Sequence, residues 1–442
     1  MRQTLALRWS LVALLIFGVI GWIVTGSPLY ARLVYLSTLL LAGSGIWTAF
    51  STRGIRLKRD ARTLRASMGD VFEERYEVAN STWPGCMWLE VINQSPLPAA
   101  GRSATGSRLL TFIGAHQKRF YSTRTLLVRR GEFLLGPTQV NFSDPFGLFN
   151  FHRHLDTKET LVVLPMTFPI STFPPPPGIL PGGKTIRQKT MDVTPHAAGV
   201  REYVPGDPMK RIHWPSTAHR GRFMVKEFEQ DPQADIWLFL DAQREMHVDQ
   251  TVAMTAPDDE SWWLRRTDVV LPRDTFEYAV SAAASLARYF LGEKRAVGLA
   301  CEAGKLTVVS AERGERQVGK IMETLAFLQP EGSMPLLGLV TMQAKLLPLG
   351  SGVVLLTTAT KPELLLAVED LQRRNLRPIV VLIKPETFGG PVGSEDMVAS
   401  LLNRNIPVCP IAYGDNLAVQ LALPAIYFQR PYLSRSFFFA RS

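Results

Sequence analysis

The C-terminal half of the chain contains an almost continuous apolar run, Ala234-Asp235-Ile236-Trp237-Leu238-Phe239-Leu240-Asp241. A strand that is buried on both faces of a sheet has this pattern. Further strand-like runs occur at 296–301, 353–358, 378–383 and 407–412, and helical apolar spacing alternates with them at 273–292, 315–328, 362–375 and 396–403. This alternation predicts a doubly wound α/β domain with a parallel sheet over residues 234–442.

Ligands of doubly wound sheets bind beyond the carboxyl ends of the strands. This rule places Asp241 and the pair Thr357-Thr358 at one candidate site. The simpler interpretation is that the Asp241 carboxylate caps the end of its strand. Both interpretations stay open at this point.

A second distinctive segment lies just upstream and is called the signature segment here: Gly199-Val200-Arg201-Glu202-Tyr203-Val204-Pro205-Gly206-Asp207-Pro208-Met209-Lys210-Arg211-Ile212-His213-Trp214. Pro205-Gly206 suits a type II turn, and Asp207-Pro208 suits the start of a helix. That helix is predicted to be short, because Trp214 precedes Pro215 and the residue before a proline disfavours helical geometry. Residues 223–228 are predicted to form a strand.

Charged and aromatic residues are concentrated in and after the signature segment. They predict either an acid/base or anion site, or a salt-bridged clasp that joins the β-domain to the C-terminal domain. The clasp is favoured, because a hydrolase needs a nucleophile with its base or a set of metal ligands, and neither arrangement stands out. The alternative is a metal-dependent hydrolase centred on Asp192, Asp207, His213 and His219. The residues assigned to the signature and to partner binding are Arg201, Glu202, Tyr203, Pro205, Gly206, Asp207, Pro208, Arg211, Trp214, Glu227 and Phe228.

Residues 178–185, Gly178-Ile179-Leu180-Pro181-Gly182-Gly183-Lys184-Thr185, match the letters of a phosphate-binding loop. Such a loop needs a strand before it and a helix that begins at the lysine, so that backbone N–H groups face the phosphate. Pro174-Pro175-Pro176-Pro177 precedes the first glycine, and proline has no N–H to donate. We therefore interpret residues 169–233 as a proline-rich linker with the signature segment, and nucleotide hydrolysis stays an alternative.

Residues 53–168 have the pattern of short strands. Residues 71–80 and 87–93 show partial apolar alternation, and residues 119–128 and 160–164 are rich in Val, Leu, Thr and Tyr. With glycines at hairpin-like intervals, these runs predict an all-β sandwich of immunoglobulin-like size. Two blocks are typical of hairpins and corners, Arg130-Gly131-Glu132-Phe133 and Asp144-Pro145-Phe146-Gly147-Leu148-Phe149. His152 and His154 share a strand face, and without a third ligand nearby an exposed face is favoured over a metal site.

Two uncharged apolar stretches open the chain, at 9–25 and 33–50. Each approaches the roughly 20 residues that cross the hydrocarbon core, where the backbone must be helical. Gly26-Ser27-Pro28 joins them, so residues 1–52 are predicted to form a transmembrane hairpin. A cleaved signal peptide is the alternative, and the second span that comes directly after the first argues against it.

Basic residues lie at both ends of the hairpin, which predicts a multi-pass protein of the cell membrane with residues 53–442 in the cytoplasm. Part of the net charge of +10 is therefore a collar that can attract anionic lipid, and we predict no nucleic-acid partner. Three widely spaced cysteines, Cys86, Cys301 and Cys409, suit a reducing compartment. The basic residues that flank the two ends of the hairpin are Arg2, Arg8, Arg53, Arg56, Lys58, Arg59, Arg62 and Arg65.

The signature segment, followed by Lys226-Glu227-Phe228-Glu229, resembles the hallmark of the domain of unknown function 58 family. The blocks at 130–133 and 144–149 resemble that family's second recurrent block. The resemblance implies a bacterial membrane-anchored protein with two N-terminal spans, a β-domain and a von Willebrand factor A-like C-terminal domain. Members are commonly found beside MoxR-type AAA+ ATPases, which implies a partner-binding role, while the activity of the family is unassigned.

The von Willebrand factor A resemblance also implies where a metal-dependent adhesion site would lie. Its Asp-x-Ser-x-Ser motif corresponds to Asp241-Ala242-Gln243-Arg244-Glu245, and Thr357-Thr358-Ala359 stands where a later aspartate would fall. Asp241 is thus the one retained position, and hard divalent cations need several oxygen ligands. We therefore predict no metal and no cofactor.

The function predicted from these observations is a membrane-anchored, non-enzymatic interaction or scaffold protein. Two partners are expected: the lipid membrane, and a protein for which a MoxR-type AAA+ ATPase is the candidate. The alternative is a metal-dependent hydrolase or an NTPase that uses residues 178–229.

Overall fold

The computed structural model describes residues 2–61, 63–83, 85–93, 95, 97, 108–155, 159–173, 197–204, 209, 212–228, 235–250, 270–348 and 350–422. The chain forms two compact units. The first unit comprises residues 1–168, 248–285 and 319–329, and the second comprises residues 169–247, 286–318 and 330–442. The domain boundaries expected from the sequence remain predictions.

Two long helices open the first unit, α1 (Arg2–Thr25) and α2 (Pro28–Arg53). Gly26 makes the turn between them at a φ of 64°, a backbone conformation that favours glycine, and Pro28 opens α2 where no N–H is needed. Leu7–Thr25 and Pro28–Arg53 have the length and hydropathy of membrane spans, and few of their side chains are buried. This apolar surface is therefore available to lipid.

Ten strands follow among the described residues of the first unit and form three sheets. The sheet orders are β1-β3-β6, β5-β4-β8-β9 and β2-β10-β7, and all pairs are antiparallel except β2 with β10. The strands are β1 (Ile55–Ala61), β2 (Arg65–Ser67), β3 (Val71–Asn80), β4 (Cys86–Asn93), β5 (Arg108–Ile113), β6 (Lys118–Leu126), β7 (Gly131–Leu135), β8 (Thr138–Ser143), β9 (Asn150–Leu155) and β10 (Glu159–Leu164).

The first two of these sheets share one hydrophobic core. Tyr76 and Val78 of β3 are buried in it together with Leu89 and Val91 of β4. In these strands buried residues alternate with less buried ones, because successive side chains of a strand point to opposite faces. The apolar alternation at 71–80 and 87–93 therefore predicted these strands correctly.

The second unit contains a small ribbon and a larger sheet. β11 (Ala197–Glu202) pairs antiparallel with β12 (Met224–Phe228), and α3 (Trp214–Arg220) lies between them in sequence. The larger sheet has six strands in the order β15-β14-β13-β16-β17-β18. Its strands are β13 (Ile236–Leu240), β14 (Val297–Glu302), β15 (Leu306–Glu312), β16 (Gly352–Thr357), β17 (Arg377–Ile383) and β18 (Val408–Ile411).

Helices alternate with these strands along the chain. They are α4 (Thr275–Gly292), α5 (Glu315–Phe327), α6 (Leu336–Gln343), α7 (Glu363–Arg373), α8 (Ser394–Asn403) and α9 (Leu417–Ala422). Apolar residues of α6, α7 and α8 share one core with the sheet, among them Leu339, Leu371 and Leu401 against Phe239 and Leu355. Every residue of β13, β14 and β16 is buried, as expected for strands covered on both faces.

The sheet is mixed rather than purely parallel. β15 runs antiparallel to β14, while β14, β13, β16, β17 and β18 are parallel. Gly304, at a φ of 76°, reverses the chain between β14 and β15. The sequence interpretation missed β15, because its residues alternate between exposed and half-buried and lack the long apolar run of the parallel strands.

Candidate functional site

Asp241 and Thr357 meet at the carboxyl edge of the sheet. They follow β13 and end β16, two adjacent parallel strands at the point where the strand order reverses. The Thr357 hydroxyl donates to Asp241 Oδ2 over 2.6 Å, and the Gln243 N–H donates to Oδ1 over 3.1 Å. Asp241 is 2% exposed, and each of its carboxylate oxygens accepts one hydrogen bond from the chain itself.

The surroundings of Asp241 do not fit the divalent cation that the resemblance to a metal-dependent adhesion site implies. Hard cations need several free oxygen ligands, and the Asp241 carboxylate instead accepts two short protein hydrogen bonds. Gln243 and Glu245 stand at the two serine positions of the motif, where Gln243 is half-buried and Glu245 is exposed. Among the residues that the structure describes, no three histidines, cysteines or carboxylates are grouped as metal ligands would be. The geometry supports the interpretation of Asp241 as a strand-end cap.

The loop that follows Asp241 is held by Gly332. The Gly332 N–H donates to the Ala242 carbonyl over 2.9 Å, and the Arg244 N–H donates to the Gly332 carbonyl over 2.9 Å. Glu302 Oε2 accepts the N–H groups of Ser333 and Met334 at 2.9 and 3.0 Å. An added Cβ at Gly332 would lie 2.7 Å from the Ala242 carbonyl oxygen and would also overlap the Glu302 carbonyl oxygen. The close approach of three backbone segments therefore requires glycine here.

Neither buried thiol near the sheet edge is a nucleophile. Burial, with Asp241 and Glu302 adding to it, raises the pKa of Cys301 to about 12. Burial likewise raises the pKa of Cys409 to about 12, with a contribution from Asp415. Because the thiolate is the reactive form, both cysteines are inert near neutral pH.

The signature segment supplies most of β11, one of the two strands of the small ribbon in the second unit. Arg201 and Glu202 lie in β11 opposite Val225 and Met224, and the Tyr203 N–H donates to the Phe223 carbonyl over 2.9 Å. An ion pair joins Glu202 to Arg222 on the exposed surface. The backbones of Glu227 and Phe228 lie in β12. Pro205, Gly206, Asp207, Pro208 and Arg211 lie outside the described residues.

The helix expected to start at Asp207-Pro208 lies mostly outside the described residues, and the expectation that Trp214 is not helical is wrong. α3 begins at Trp214 and carries Pro215 in its first turn, where a missing N–H has no cost. The ring of His213 caps this helix: its Nδ1 accepts the Ser216 N–H at 3.3 Å and lies 2.7 Å from the Ser216 hydroxyl. Pro215 thus marks the start of a helix and not the end of one.

The hydrolase and NTPase alternatives gain no support from the described residues. The Nδ1 lone pair of His213 is engaged in capping α3, and His219 is exposed in the last turn of that helix. Asp192, Asp207 and the phosphate-loop match at 178–185 lie outside the described residues.

Large apolar side chains are exposed in the segment between β11 and β12. We call this set the signature patch: Val204, Met209, Trp214 and Phe223. Each is more than half exposed, with Trp214 at 63%, although Ile212 and Met224 between them are buried. Exposed apolar patches of this kind mark interaction sites more often than isolated surface residues do.

A buried cation was missed by the sequence interpretation. Arg130, just before β7, is 1% exposed and forms an ion pair with Glu277 of α4. Its Nε and Nη2 donate to the carbonyls of Leu325 and Leu328 at 3.1 and 2.8 Å, where α5 ends. The guanidinium thus satisfies carbonyls that a helix end leaves free, and its charge suits the negative end of the helix dipole.

Asp274 lies near Arg130, and its pKa is higher than that of an ordinary aspartate. Burial, followed by the charges of Glu277 and Asp249, raises the pKa of Asp274 from 3.8 to about 6. Arg130 and the Phe276 N–H, which donates to Asp274 Oδ1 over 2.7 Å, act in the opposite direction. A carboxyl with a raised pKa in the folded state stabilises the fold while it is protonated, and this contribution is lost as the pH rises through about 6.

Comparison with known proteins identifies the signature segment. Residues 199–255 match the family model described as Protein of unknown function DUF58. The uncharacterized protein YeaD of Bacillus subtilis is 26% identical over 164 residues, which is 36% of this chain and 40% of that protein. The match therefore spans less than half of the relative's length.

Matches to solved structures have low TM-scores and carry no argument about this chain. The CARDB domain of a Pyrococcus furiosus protein, solved in complex with di-metal ions, matches with a TM-score of 0.18 at 9% identity, over 25% of this chain and 94% of that one. The sporulation control protein Spo0M of Bacillus subtilis matches with a TM-score of 0.16 at 9% identity, over 25% of this chain and 49% of that one. The family match at residues 199–255, which include α3, β12 and β13, and the similarity to YeaD both support the resemblance of this chain to the DUF58 family.

Proposed function

We propose that the protein is a membrane-anchored interaction protein with no enzymatic activity of its own. The signature patch carries this proposal, because it places exposed Trp214 and its apolar neighbours inside the segment that the family model matches. Tryptophan is enriched among the residues that dominate binding energy at interfaces. The position of Asp241 supports the same conclusion, since this carboxylate is buried and each of its oxygens accepts a hydrogen bond from the protein.

The proposed architecture is an immunoglobulin-like sandwich followed by a von Willebrand factor A-like domain. The common core of the β1-β3-β6 and β5-β4-β8-β9 sheets supports the sandwich. The sheet order β15-β14-β13-β16-β17-β18, in which β15 alone of these six strands is antiparallel to its neighbour, supports the von Willebrand factor A-like domain. Domains of this kind commonly act through loops at one edge of the sheet.

We propose that α1 and α2 span the cell membrane as a hairpin and that residues 53–442 are cytoplasmic. Two helices of sufficient length and hydropathy support the anchor. The basic residues at both ends of the hairpin support the orientation, because cytoplasmic flanks are enriched in lysine and arginine.

The proposed partner is a AAA+ ATPase of the MoxR type, which the family resemblance implies. Binding of the purified full chain in detergent to such an ATPase from the same organism tests this function. Trp214→Ala should weaken binding by roughly thirtyfold, the loss typical of a central aromatic contact. The substitution leaves α3 intact, since the Trp214 side chain is mostly exposed.

Trp83→Ala is the matched control, because Trp83 is 80% exposed and lies in the β3–β4 turn of the other unit. It should bind as tightly as the unmodified chain. Absence of binding by the unmodified chain, or equal binding by Trp214→Ala, would contradict the proposal.

A further inference from the structure

We infer that the loop between β8 and β9, residues 144–149, lies in the lipid headgroup layer and inserts Phe146 into the bilayer surface. This inference rests on the proposed function, because it takes α1 and α2 as membrane-spanning. It adds a second, peripheral lipid contact made by the β-domain itself.

The depth of the loop is set by its contacts with the two helices. Arg8 lies 17 residues before Thr25 and Ser44 lies 16 residues after Pro28, so both are about 25 Å from the hairpin turn at 1.5 Å per residue. The hydrocarbon core is roughly 30 Å thick. Arg8 and Ser44 therefore lie within about 5 Å of its inner boundary, where charged and polar side chains can reach the headgroups.

The loop is attached at this level by three contacts. Arg8 Nε donates to the Leu148 carbonyl over 2.6 Å, and its guanidinium lies 4.8 Å from the centre of the Phe149 ring. The Ser44 hydroxyl donates to the carboxylate of Asp144, which is buried. Both helices of the hairpin thus hold the loop at the membrane boundary.

The exposure of Phe146 is imposed by the shape of the loop. Asp144 Oδ1 accepts the Phe149 N–H at 2.6 Å, and Oδ2 accepts the Phe146 N–H at 3.0 Å. The Gly147 N–H donates to the Asp144 carbonyl over 3.1 Å. With its backbone fixed in this way, the loop leaves Phe146 58% exposed.

The chemistry of the neighbouring surface suits an anionic bilayer. From 143 to 155 the sequence has one acidic residue, Asp144, and that side chain is buried. The exposed residues of the loop and β9 are aromatic, basic or uncharged, and none is acidic: Pro145, Phe146, Asn150, Phe151, His152, Arg153 and His154. Basic side chains next to exposed aromatic rings are the usual composition of surfaces that lie on anionic lipid.

Fluorescence quenching in vesicles tests the inference. The full chain, carrying a single introduced cysteine with an environment-sensitive NBD label, is reconstituted into phosphatidylcholine–phosphatidylglycerol vesicles that contain lipids with a doxyl quencher near the glycerol. The natural cysteines are buried and should not be labelled. With Phe146→Cys we expect the emission to fall by roughly half, as for a ring 5–10 Å into the interface.

Two control positions separate this inference from the proposed anchor. Leu134→Cys labels an exposed residue of β7, which belongs to a different sheet from β8 and β9, and its emission should not change. Leu36→Cys labels α2 midway along the span. Its emission should be quenched in a second set of vesicles, whose lipids carry the doxyl group deeper in the acyl chain. Quenching at 36 with none at 146 overturns the loop contact alone, whereas no quenching at 36 overturns the anchor as well.

Discussion

Arg130→Met is expected to destabilise the first unit by about 3–5 kcal/mol. The substitution leaves Glu277 buried without its cation and removes the donors from the carbonyls of Leu325 and Leu328. Hydrogen exchange measures the effect locally, and amides of β7 and of the end of α5 should exchange roughly two to three orders of magnitude faster.

The loss of stability caused by Arg130→Met should be greater at pH 8 than at pH 5. The pKa of Asp274 is about 6, so this carboxyl is mostly protonated at pH 5 and ionised at pH 8. Arg130 offsets part of the cost of that ionisation, and its removal therefore adds a penalty where Asp274 carries a charge. Arg129→Met changes the exposed neighbour and should stay within about 0.5 kcal/mol of the unmodified chain. A loss for Arg130→Met below about 1 kcal/mol, or one independent of pH, would contradict this role.

Gly332→Ala is expected to cost about 3 kcal/mol and to displace the loop after Asp241. The added methyl group would meet two carbonyl oxygens of the backbone, which cannot move aside as a flexible side chain can. Relief of that overlap breaks the hydrogen bonds of Gly332 to Ala242 and Arg244. Thermal unfolding and amide exchange at 241–247 measure the two effects.

Gly319→Ala provides a matched control in the interior of α5. An added Cβ there meets nothing within 4 Å, and alanine is favoured over glycine in a helix by roughly 0.5–1 kcal/mol. This variant should be as stable as the unmodified chain or slightly more stable. If Gly332→Ala behaves in the same way, the loop is not held by the close backbone approach described above.

Local patterns predicted much of the secondary structure. The strand expected at 71–80 is β3, and the alternation of the C-terminal half predicted β14, β16, β17 and β18 to within one or two residues at each end. The same alternation correctly placed Asp241 next to Thr357, because adjacent parallel strands end at one edge. Each of these predictions rests on a period of two or on a run of buried residues, which a single sequence displays.

The contacts that a sequence pattern cannot show are those made by side chains far apart in the chain. Arg130 stands in a block that has the pattern of a turn, and its burial depends on Glu277 and on the end of α5. The need for glycine at 332 likewise comes from the carbonyls of residues 242 and 302. Pro215 misled the interpretation in a different way, since proline stops a helix from within but suits its first turn.

Labelling of introduced cysteines in intact cells tests the central claim most directly, because the three natural cysteines are buried. A membrane-impermeant maleimide is applied to intact cells and, separately, to permeabilised ones. Leu29→Cys, at the hairpin turn, should be labelled in both. Val392→Cys, which replaces a side chain that is 85% exposed between β17 and α8, should be labelled after permeabilisation only. Labelling of Val392→Cys in intact cells would place the large C-terminal part outside and contradict a cytoplasmic interaction protein held by a membrane hairpin.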